Sequence, residues 1–180
     1  MENYDRKGVV SRFMALGLFF VMALGSSGAL QAATLSAAAT EDLVFMREEE
    51  KLARDVYLTL YDKWNMRIFK TISTSEQNHM DAVKVLLDRY GIPDPVAGNG
   101  VGVFTDQGLQ ESYDDFVDQG LVSLLDAMMV GAAIENADIE SLNAALAVPG
   151  LPADVKRVYG NLLKASNNHL DAFNYQLDRL

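Results

Sequence analysis

Residues 67–90 read RIFKTISTSEQNHMDAVKVLLDRY, and this stretch decides the fold class. Its apolar residues recur every three, four or seven positions, which is the spacing of one face of an α-helix. They are Ile68, Ile72, Met80, Val83, Leu87 and Tyr90. Glu76 and His79 fall on the same face. The sequence therefore predicts a helix that turns a carboxylate and an imidazole towards the protein core.

A buried Glu needs a partner, because an ionised carboxylate is costly to remove from water unless it is paired, hydrogen-bonded or bound to a cation. Helical bundles use a Glu followed by a His one turn later to present ligands to a metal ion. The chain repeats part of this pattern in residues 166–169, SNNH, with Ser166 where a second Glu would complete the symmetry. Glu76 and His79 are therefore candidate metal ligands. A competing interpretation is that Glu76 closes a capping box with Ser73.

Four long helices and one short helix are predicted along the chain. The long helices are predicted at residues 41–64, 67–90, 121–146 and 153–177. The first begins after Thr40, which is a favourable N-cap residue. A shorter helix is predicted at 107–119, and the Gly- and Pro-rich residues 92–105 are predicted to be a loop.

Two hairpins of long helices, joined by one long connection, define the predicted fold. Such a chain forms an all-α, ferritin-like four-helix bundle with a long crossover between the second and third helices. Because a helix rises about 1.5 Å per residue, the heights of polar residues in each hairpin can be compared. The inward polar residues lie within about one or two helical turns of a common level; they are Glu50, Glu76, His79, Glu135, Ser166 and His169.

The residues before the predicted bundle indicate export. Residues 1–33 combine basic residues, a short apolar run and small residues ahead of a cleavage site, which is typical of a secretory signal peptide. Residues 34–40 are predicted to be a flexible mature N-terminus, and residues 41–180 the bundle domain. Because the apolar run is short for a membrane span, we predict a periplasmic or secreted protein with no stable membrane anchor after cleavage. An uncleaved N-terminal anchor is the alternative.

Composition limits the partners. The chain of 180 residues has a formal net charge of -10 and contains no Cys. A strongly acidic protein is repelled by nucleic acid, and a chain without Cys has neither a disulfide framework nor a thiolate ligand. We therefore predict no nucleic-acid partner. Metal ions are the predicted partners, with a second copy of the chain, in a homodimer, as a further candidate.

Several motifs together resemble a known family. Residues 48–57, EEEKLARDVY, resemble the first-helix signature of rubrerythrin-type proteins, in which a ligand Glu precedes Ala-Arg and then a Tyr. With residues 76–79 (EQNH), 131–135 (GAAIE) and 166–170 (SNNHL), the pattern is similar to an exported, ferritin-like family catalogued as a domain of unknown function, DUF2202. The resemblance spans residues 41–178.

This resemblance implies a metal centre. In the better-known relatives the bundle holds a pair of iron or manganese ions, bound by a Glu from each of the first and third helices and a Glu-x-x-His from each of the second and fourth. The positions that match ligand types are Glu50, Glu76, His79, Glu135 and His169, together with Asp138, which matches an extra acidic position of some rubrerythrins. Ser166 departs from the pattern, because a hydroxyl there removes an anionic ligand. One ion or an asymmetric pair of ions is therefore predicted.

Three functions remain open from the sequence. The first is an iron- or manganese-dependent oxidoreductase or ferroxidase that acts on peroxide or oxygen. The second is a metal-binding or storage module without turnover, and the third is a metal-free structural or partner-binding bundle in which both histidines are hydrogen-bonded core residues. Tyr57 and Tyr159 are predicted to pack in the core. Periodicity also predicts Glu50 inside the bundle and its neighbours Glu48 and Glu49 in solvent.

Overall fold

The computed structural model describes residues 35–180, which form five α-helices and no strand. The helices are α1 (Ala37–Trp64), α2 (Arg67–Tyr90), α3 (Gln107–Gly120), α4 (Leu124–Leu146) and α5 (Ala153–Leu177). The predicted all-α class is confirmed, as are the predicted bounds of α2 and α5. The predicted signal peptide, residues 1–33, lies outside the described part of the chain. Of the helices formed by residues 35–180, none combines the length and the apolar character that a membrane span needs.

A side-chain cap moves the start of α1 from the predicted position. The Ser36 hydroxyl accepts a hydrogen bond from the Ala39 amide at 3.2 Å, so the helix begins at Ala37. The predicted start after Thr40 is therefore wrong. Residues 37–40, which were predicted to belong to a flexible N-terminus, are helical.

A second cap sets the start of α4. The Ser123 hydroxyl accepts a hydrogen bond from the Asp126 amide at 3.0 Å, and α4 begins at Leu124 instead of the predicted Leu121. The preceding residues form a turn after α3. The bounds of α3 itself agree with the predicted 107–119 to within one residue.

The long helices pack as two antiparallel pairs. α1 lies along α2 and α4 lies along α5, and the pairs meet through contacts of α1 with α4 and of α2 with α5. At the end of α2, Arg89 and Tyr90 donate hydrogen bonds to the Asp154 carboxylate at the start of α5, at 2.7 and 2.8 Å. These two helices therefore also run antiparallel. α3 packs against both α1 and α4.

Two apolar clusters form the core, one near each end of the helices. Cluster 1 contains Leu52, Ala53, Val56, Tyr57, Leu60, Phe69, Ile72, Leu109, Phe116, Ala127, Met128, Val130, Ile134 and Phe173. Cluster 2 contains Ala39, Leu43, Met46, Val83, Leu86, Leu87, Leu142, Ala145, Leu151, Val155, Tyr159 and Leu162. In each of the four long helices, buried polar residues separate the members of the two clusters. We call this middle level the polar layer.

The connection between α2 and α3, residues 91–106, is fixed to α1 by buried charged residues. Lys51 pairs with Asp55 and donates a hydrogen bond to the Gly100 carbonyl oxygen at 2.7 Å. The Asp55 carboxylate in turn accepts a hydrogen bond from the Gly102 amide at 2.9 Å. The remaining contacts of this kind join Arg47 to Asp94 and Glu48 to the backbone amides of Thr105 and Asp106. The prediction that Glu48 lies in solvent is therefore wrong.

Gly131 allows α4 to approach α5 closely. A Cβ atom at this position would lie 2.3 Å from the ring of Phe173, which is fully buried in cluster 1. We predict that Gly131→Ala lowers the free energy of unfolding by about 1–3 kcal/mol, because the enclosed ring has little room to move. Gly160→Ala is the matched control, since a Cβ atom there would have no heavy atom within 4 Å apart from its own helix backbone and chain neighbours, and Ala should stabilise the helix by about 0.5–1 kcal/mol. Urea denaturation measures both changes, and equal effects of the two substitutions would contradict the prediction.

Candidate metal centre

Five polar side chains from four helices meet in the polar layer. Glu50 comes from α1, Glu76 and His79 from α2, Glu135 from α4 and His169 from α5. Their potential ligand atoms form two groups, Glu50–Glu76–His79 and Glu76–Glu135–His169, and the atoms of each group lie within 4.8 Å of one another. Glu76 belongs to both groups. It therefore lies where a bridging ligand would lie.

Each histidine directs its Nδ1 atom towards two carboxylates. His79 Nδ1 lies 2.6 Å from Glu76 Oε2 and 3.1 Å from Glu50 Oε2. His169 Nδ1 lies 2.8 Å from Glu76 Oε1 and 3.5 Å from Glu135 Oε2. The two imidazole rings stack with their centroids 5.7 Å apart. The two halves of the site are thus arranged alike about Glu76.

Several buried atoms of this cluster have no hydrogen-bond partner among residues 35–180. They are Glu50 Oε1, Glu76 Oε1 and His169 Nδ1. The last two atoms are close to each other, but their angles are not those of a hydrogen bond. Buried polar atoms in folded proteins nearly always have a hydrogen-bond partner, so these three atoms need one beyond the ion pair of His169 with Glu76. Carboxylate and imidazole atoms that converge in this way fit a bound cation.

The carboxylates keep both histidines protonated when no metal ion is bound. Burial alone would lower the pKa of His79, but Glu50 and Glu76 outweigh burial and raise this pKa to about 11. The pKa of His169 rises to about 9, again against the effect of burial, because of Glu135 and Glu76. Burial would raise the pKa of Glu76, yet the two histidines lower it to about 2.

The other two carboxyls of the centre have raised pKa values. Burial raises the pKa of Glu50 well above its ordinary value, and the neighbouring Glu76 raises it further, although the hydrogen bond with His79 opposes the change. Burial, with a contribution from Glu76, raises the pKa of Glu135 to about 7, although His169 opposes this change. Ionising all three carboxyls of the site is therefore unfavourable in the metal-free protein. A bound divalent cation would favour the ionised forms.

Tyr57 supports the centre from cluster 1. Its hydroxyl donates a hydrogen bond to Glu135 Oε1 at 2.7 Å and lies 3.3 Å from the Gly131 carbonyl oxygen. Its ring is fully buried and packs against Phe69 and Phe173. The prediction that Tyr57 lies in the core is confirmed. Its hydroxyl, for which the sequence indicated no partner, fixes the orientation of a carboxylate in the site.

Asp138 and Ser166 lie in the polar layer but outside both donor groups. Asp138 is buried on α4, and its carboxylate accepts a hydrogen bond from the Ser166 hydroxyl. Ser166 Oγ also lies 2.9 Å from the Leu162 carbonyl oxygen. The structure thus brings five of the six predicted ligands into the two groups and places the sixth, Asp138, beside them.

Glu49 is a buried carboxyl that the sequence analysis assigned to solvent. It is 4% exposed and accepts a hydrogen bond from the Ser141 hydroxyl at 2.9 Å, so that prediction is wrong. α1 is contacted by α2, α3 and α4. A helix enclosed by three neighbours buries residues on more than one of its faces. One feature of the sequence could have indicated that Glu49 is buried. The acidic run 48–50 lies between two apolar segments of α1, and these segments belong to different clusters in the structure.

Both the sequence and the fold match known proteins. The family described as "Uncharacterized protein domain (DUF2202)" matches residues 39–179. The chain belongs to the DUF2202 family. It is similar to the uncharacterized protein MJ0754 of Methanocaldococcus jannaschii, with 53% identity over 133 residues that cover 74% of this chain and 71% of that protein. It is also similar to the crystal structure of the hypothetical protein MJ0754 from Methanococcus jannaschii, with a TM-score of 0.79 and 49% identity over 86% of each chain.

The DUF2202 match includes every residue of the candidate centre, from Glu50 to His169. In this DUF2202 protein the histidines are the ligand candidates nearest to solvent. The side chains of His79 and His169 are 10% and 12% exposed, whereas those of Glu76 and Glu135 are 2% exposed. Both histidines lie where α2 meets α5.

Proposed function

We propose that this protein binds iron or manganese in a ferritin-like helical bundle and reacts with peroxide or oxygen at the bound ions. The observation that supports this most directly is the pair of donor groups that share Glu76, in which three buried ligand atoms have no hydrogen-bond partner among residues 35–180. Imidazole and carboxylate donors, without any thiolate, suit iron and manganese. The residues present therefore fit the metal that the family resemblance implies.

The order of the helices supports a ferritin-like architecture. A turn of two residues, Asn65 and Met66, joins α1 to α2, whereas the long connection 91–123 joins α2 to α4 and contains α3. A four-helix bundle with one long crossover between its second and third members has connections in this order. In this proposal α1, α2, α4 and α5 are the bundle, and α3 is part of the crossover.

Each side chain has a definite part in the proposed centre. Glu50 and His79 would hold one ion, Glu135 and His169 the other, and Glu76 both. When bound, the ions supply redox chemistry at open coordination positions. Tyr57 orients the Glu135 carboxylate. The two apolar clusters cover the site on either side of the polar layer and exclude water there.

Elemental analysis tests the metal-binding part of the proposal. Protein purified from cells grown with iron and manganese is expected to retain about two transition-metal ions per chain, because a preformed set of five donors binds metal tightly. A purified protein free of both metals under these conditions would contradict the proposal. A change in the absorption of the bound metal after peroxide is added tests the redox part.

A metal-binding module without turnover is the second candidate. It is favoured by Ser166, which offers a hydroxyl where another carboxylate would raise the affinity for a second ion, and which already contacts Asp138. This candidate predicts bound metal whose absorption does not respond to peroxide. Adding peroxide to one metal-loaded sample therefore distinguishes the two functions.

Metal binding is predicted to release protons. The pKa values of His79 and His169 are about 11 and about 9, so both imidazoles are protonated near pH 7.5 and both must lose a proton to bind a metal ion. We expect about two or more protons released per chain and an affinity that increases as the pH rises from about 7 to 9. Isothermal titration calorimetry with Mn²⁺ in two buffers of different ionisation enthalpy measures the release. An observed binding enthalpy that is the same in both buffers would mean that no proton is released, and would contradict the prediction.

We further propose that the protein is exported, on the basis of residues 1–33 alone. The homodimer stays a prediction from the sequence. Cell fractionation with an antibody against the folded domain tests the location, and recovery of the protein only in the cytoplasm would contradict export.

A further inference from the structure

A second group of polar side chains lies beside the candidate centre, where α1, α4 and α5 meet. Glu49 and Asp138 provide its carboxyls. Ser141 donates a hydrogen bond to Glu49 at 2.9 Å, and Ser166 donates one to Asp138. Because Asp138 and Ser141 are one helical turn apart on α4, both carboxyls lie against the same side of that helix. None of these residues belongs to the two donor groups that contain the histidines.

Each carboxyl of this second group has one unpaired oxygen. Glu49 Oε2 and Asp138 Oδ1 are buried and have no hydrogen-bond partner within residues 35–180, and the same is true of the Tyr159 hydroxyl. Glu49 is 4% exposed, Asp138 5% and Tyr159 0%. In the described part of the chain, no Lys or Arg forms an ion pair with either carboxyl. Unpaired buried polar atoms are rare in folded proteins, so these three require an explanation.

The charge of this group favours a cation over a water molecule. Each carboxyl accepts one hydrogen bond from a serine hydroxyl and leaves its second oxygen without a partner. A water molecule would satisfy the unpaired oxygens, whereas a cation would satisfy them and also compensate the charge of the two carboxylates. All the available donors are carboxylate or hydroxyl oxygens, and these are the donors that hard divalent cations prefer.

We infer that Glu49 and Asp138 bind a hard divalent cation at a site separate from the histidine-containing centre, with the Tyr159 hydroxyl as a further oxygen donor. Ser141 and Ser166 position the two carboxylates. The Tyr159 hydroxyl is buried without a hydrogen-bond partner among residues 35–180, which leaves it available as that donor. This site adds one ion to those of the proposed function and does not depend on them.

A Mn²⁺ titration of the full chain, followed by the electron paramagnetic resonance signal of free Mn²⁺, tests the inference. The unmodified protein is expected to bind one ion more than Glu49→Gln and one more than Asp138→Asn. Ser141→Ala, which removes only the hydrogen bond to Glu49, is expected to weaken this one ion by about tenfold or more. Glu140→Gln, an exposed substitution on α4, is the control and should leave the titration unchanged. Circular dichroism confirms that each variant is folded.

The possible results separate this inference from the proposed function. If Glu49→Gln and Asp138→Asn titrate like the unmodified protein, the separate site does not exist, whereas the histidine-containing centre is unaffected. If the unmodified protein binds one ion that is lost in Glu49→Gln but kept in His79→Gln, the separate site is supported and the proposed centre is wrong. If Ser141→Ala binds every ion as tightly as the unmodified protein, Ser141 does not position a ligand and the inference is contradicted.

Discussion

Glu76→Gln is expected to eliminate both metal ions of the proposed centre, because Glu76 is the carboxylate that the two donor groups share. An amide presents one weaker oxygen donor and cannot bridge two cations with a negative charge. Loss of a residue that only orients a ligand typically weakens metal binding by about 10–100-fold, so loss of the shared ligand should exceed about 100-fold. Elemental analysis after dialysis, combined with a metal titration, measures the change.

Two further substitutions make this prediction specific. Glu50→Gln and Glu135→Gln each alter one donor group, so each should lose one ion and keep the other. Glu140→Gln, on the exposed face of α4, should lose none. A Glu76→Gln protein that still binds two ions with unchanged affinity would show that Glu76 is not a shared ligand.

Asp55→Ala is expected to lower the free energy of unfolding by about 3–5 kcal/mol, because it leaves the Lys51 ammonium buried without its counter-charge. The side chains of Lys51 and Asp55 are 1% and 0% exposed, so water cannot replace the lost partner. Lys51 would keep the Gly100 carbonyl oxygen at 2.7 Å and the ring of Phe104, whose centroid is 4.4 Å away. The Gly102 amide would lose its acceptor as well. Chemical denaturation of the metal-free protein measures the change.

The chain contains a matched control for this substitution. Lys84 and Asp88 form a pair with the same spacing along a helix, but their side chains are 44% and 63% exposed. Asp88→Ala should therefore change the stability by less than about 0.5 kcal/mol, since exposed pairs contribute little. A similar loss in both variants would show that burial of the Lys51–Asp55 pair is not what makes it important.

The sequence predicted all five helices and, to within one residue, where each one ends, but it misplaced the starts of α1 and α4. The bounds of α2 and α5 follow from an apolar stripe that ends at Gly91 in one case and begins after Pro152 in the other. The start of α1 could not be chosen in the same way, because Ser36 and Thr40 are both favourable N-cap residues. Ala39 is buried in cluster 2 together with Leu43 and Met46, and this tertiary contact favours the longer helix.

The site residues were predictable where one helix face decides burial. Glu76 and His79 stand on the inward stripe of α2, and the common height of Glu50, Glu135 and His169 followed from the helix rise. Glu48 and Glu49 were not predictable from periodicity. Glu48 is covered by the connection 91–106 and Glu49 by α4, so α1 is enclosed on sides that periodicity assigns to solvent.

The polar layer gives the molecule two hydrophobic cores in series. Each long helix passes through both cores, and the level between them contributes charge instead of apolar contact. Without a cation, the cooperativity between the two ends depends on helix continuity and on the hydrogen bonds of that layer. With a cation bound to four helices at once, opening of either end would have to release it. Ligand binding at the centre would therefore join two separately packed ends into one cooperative unit.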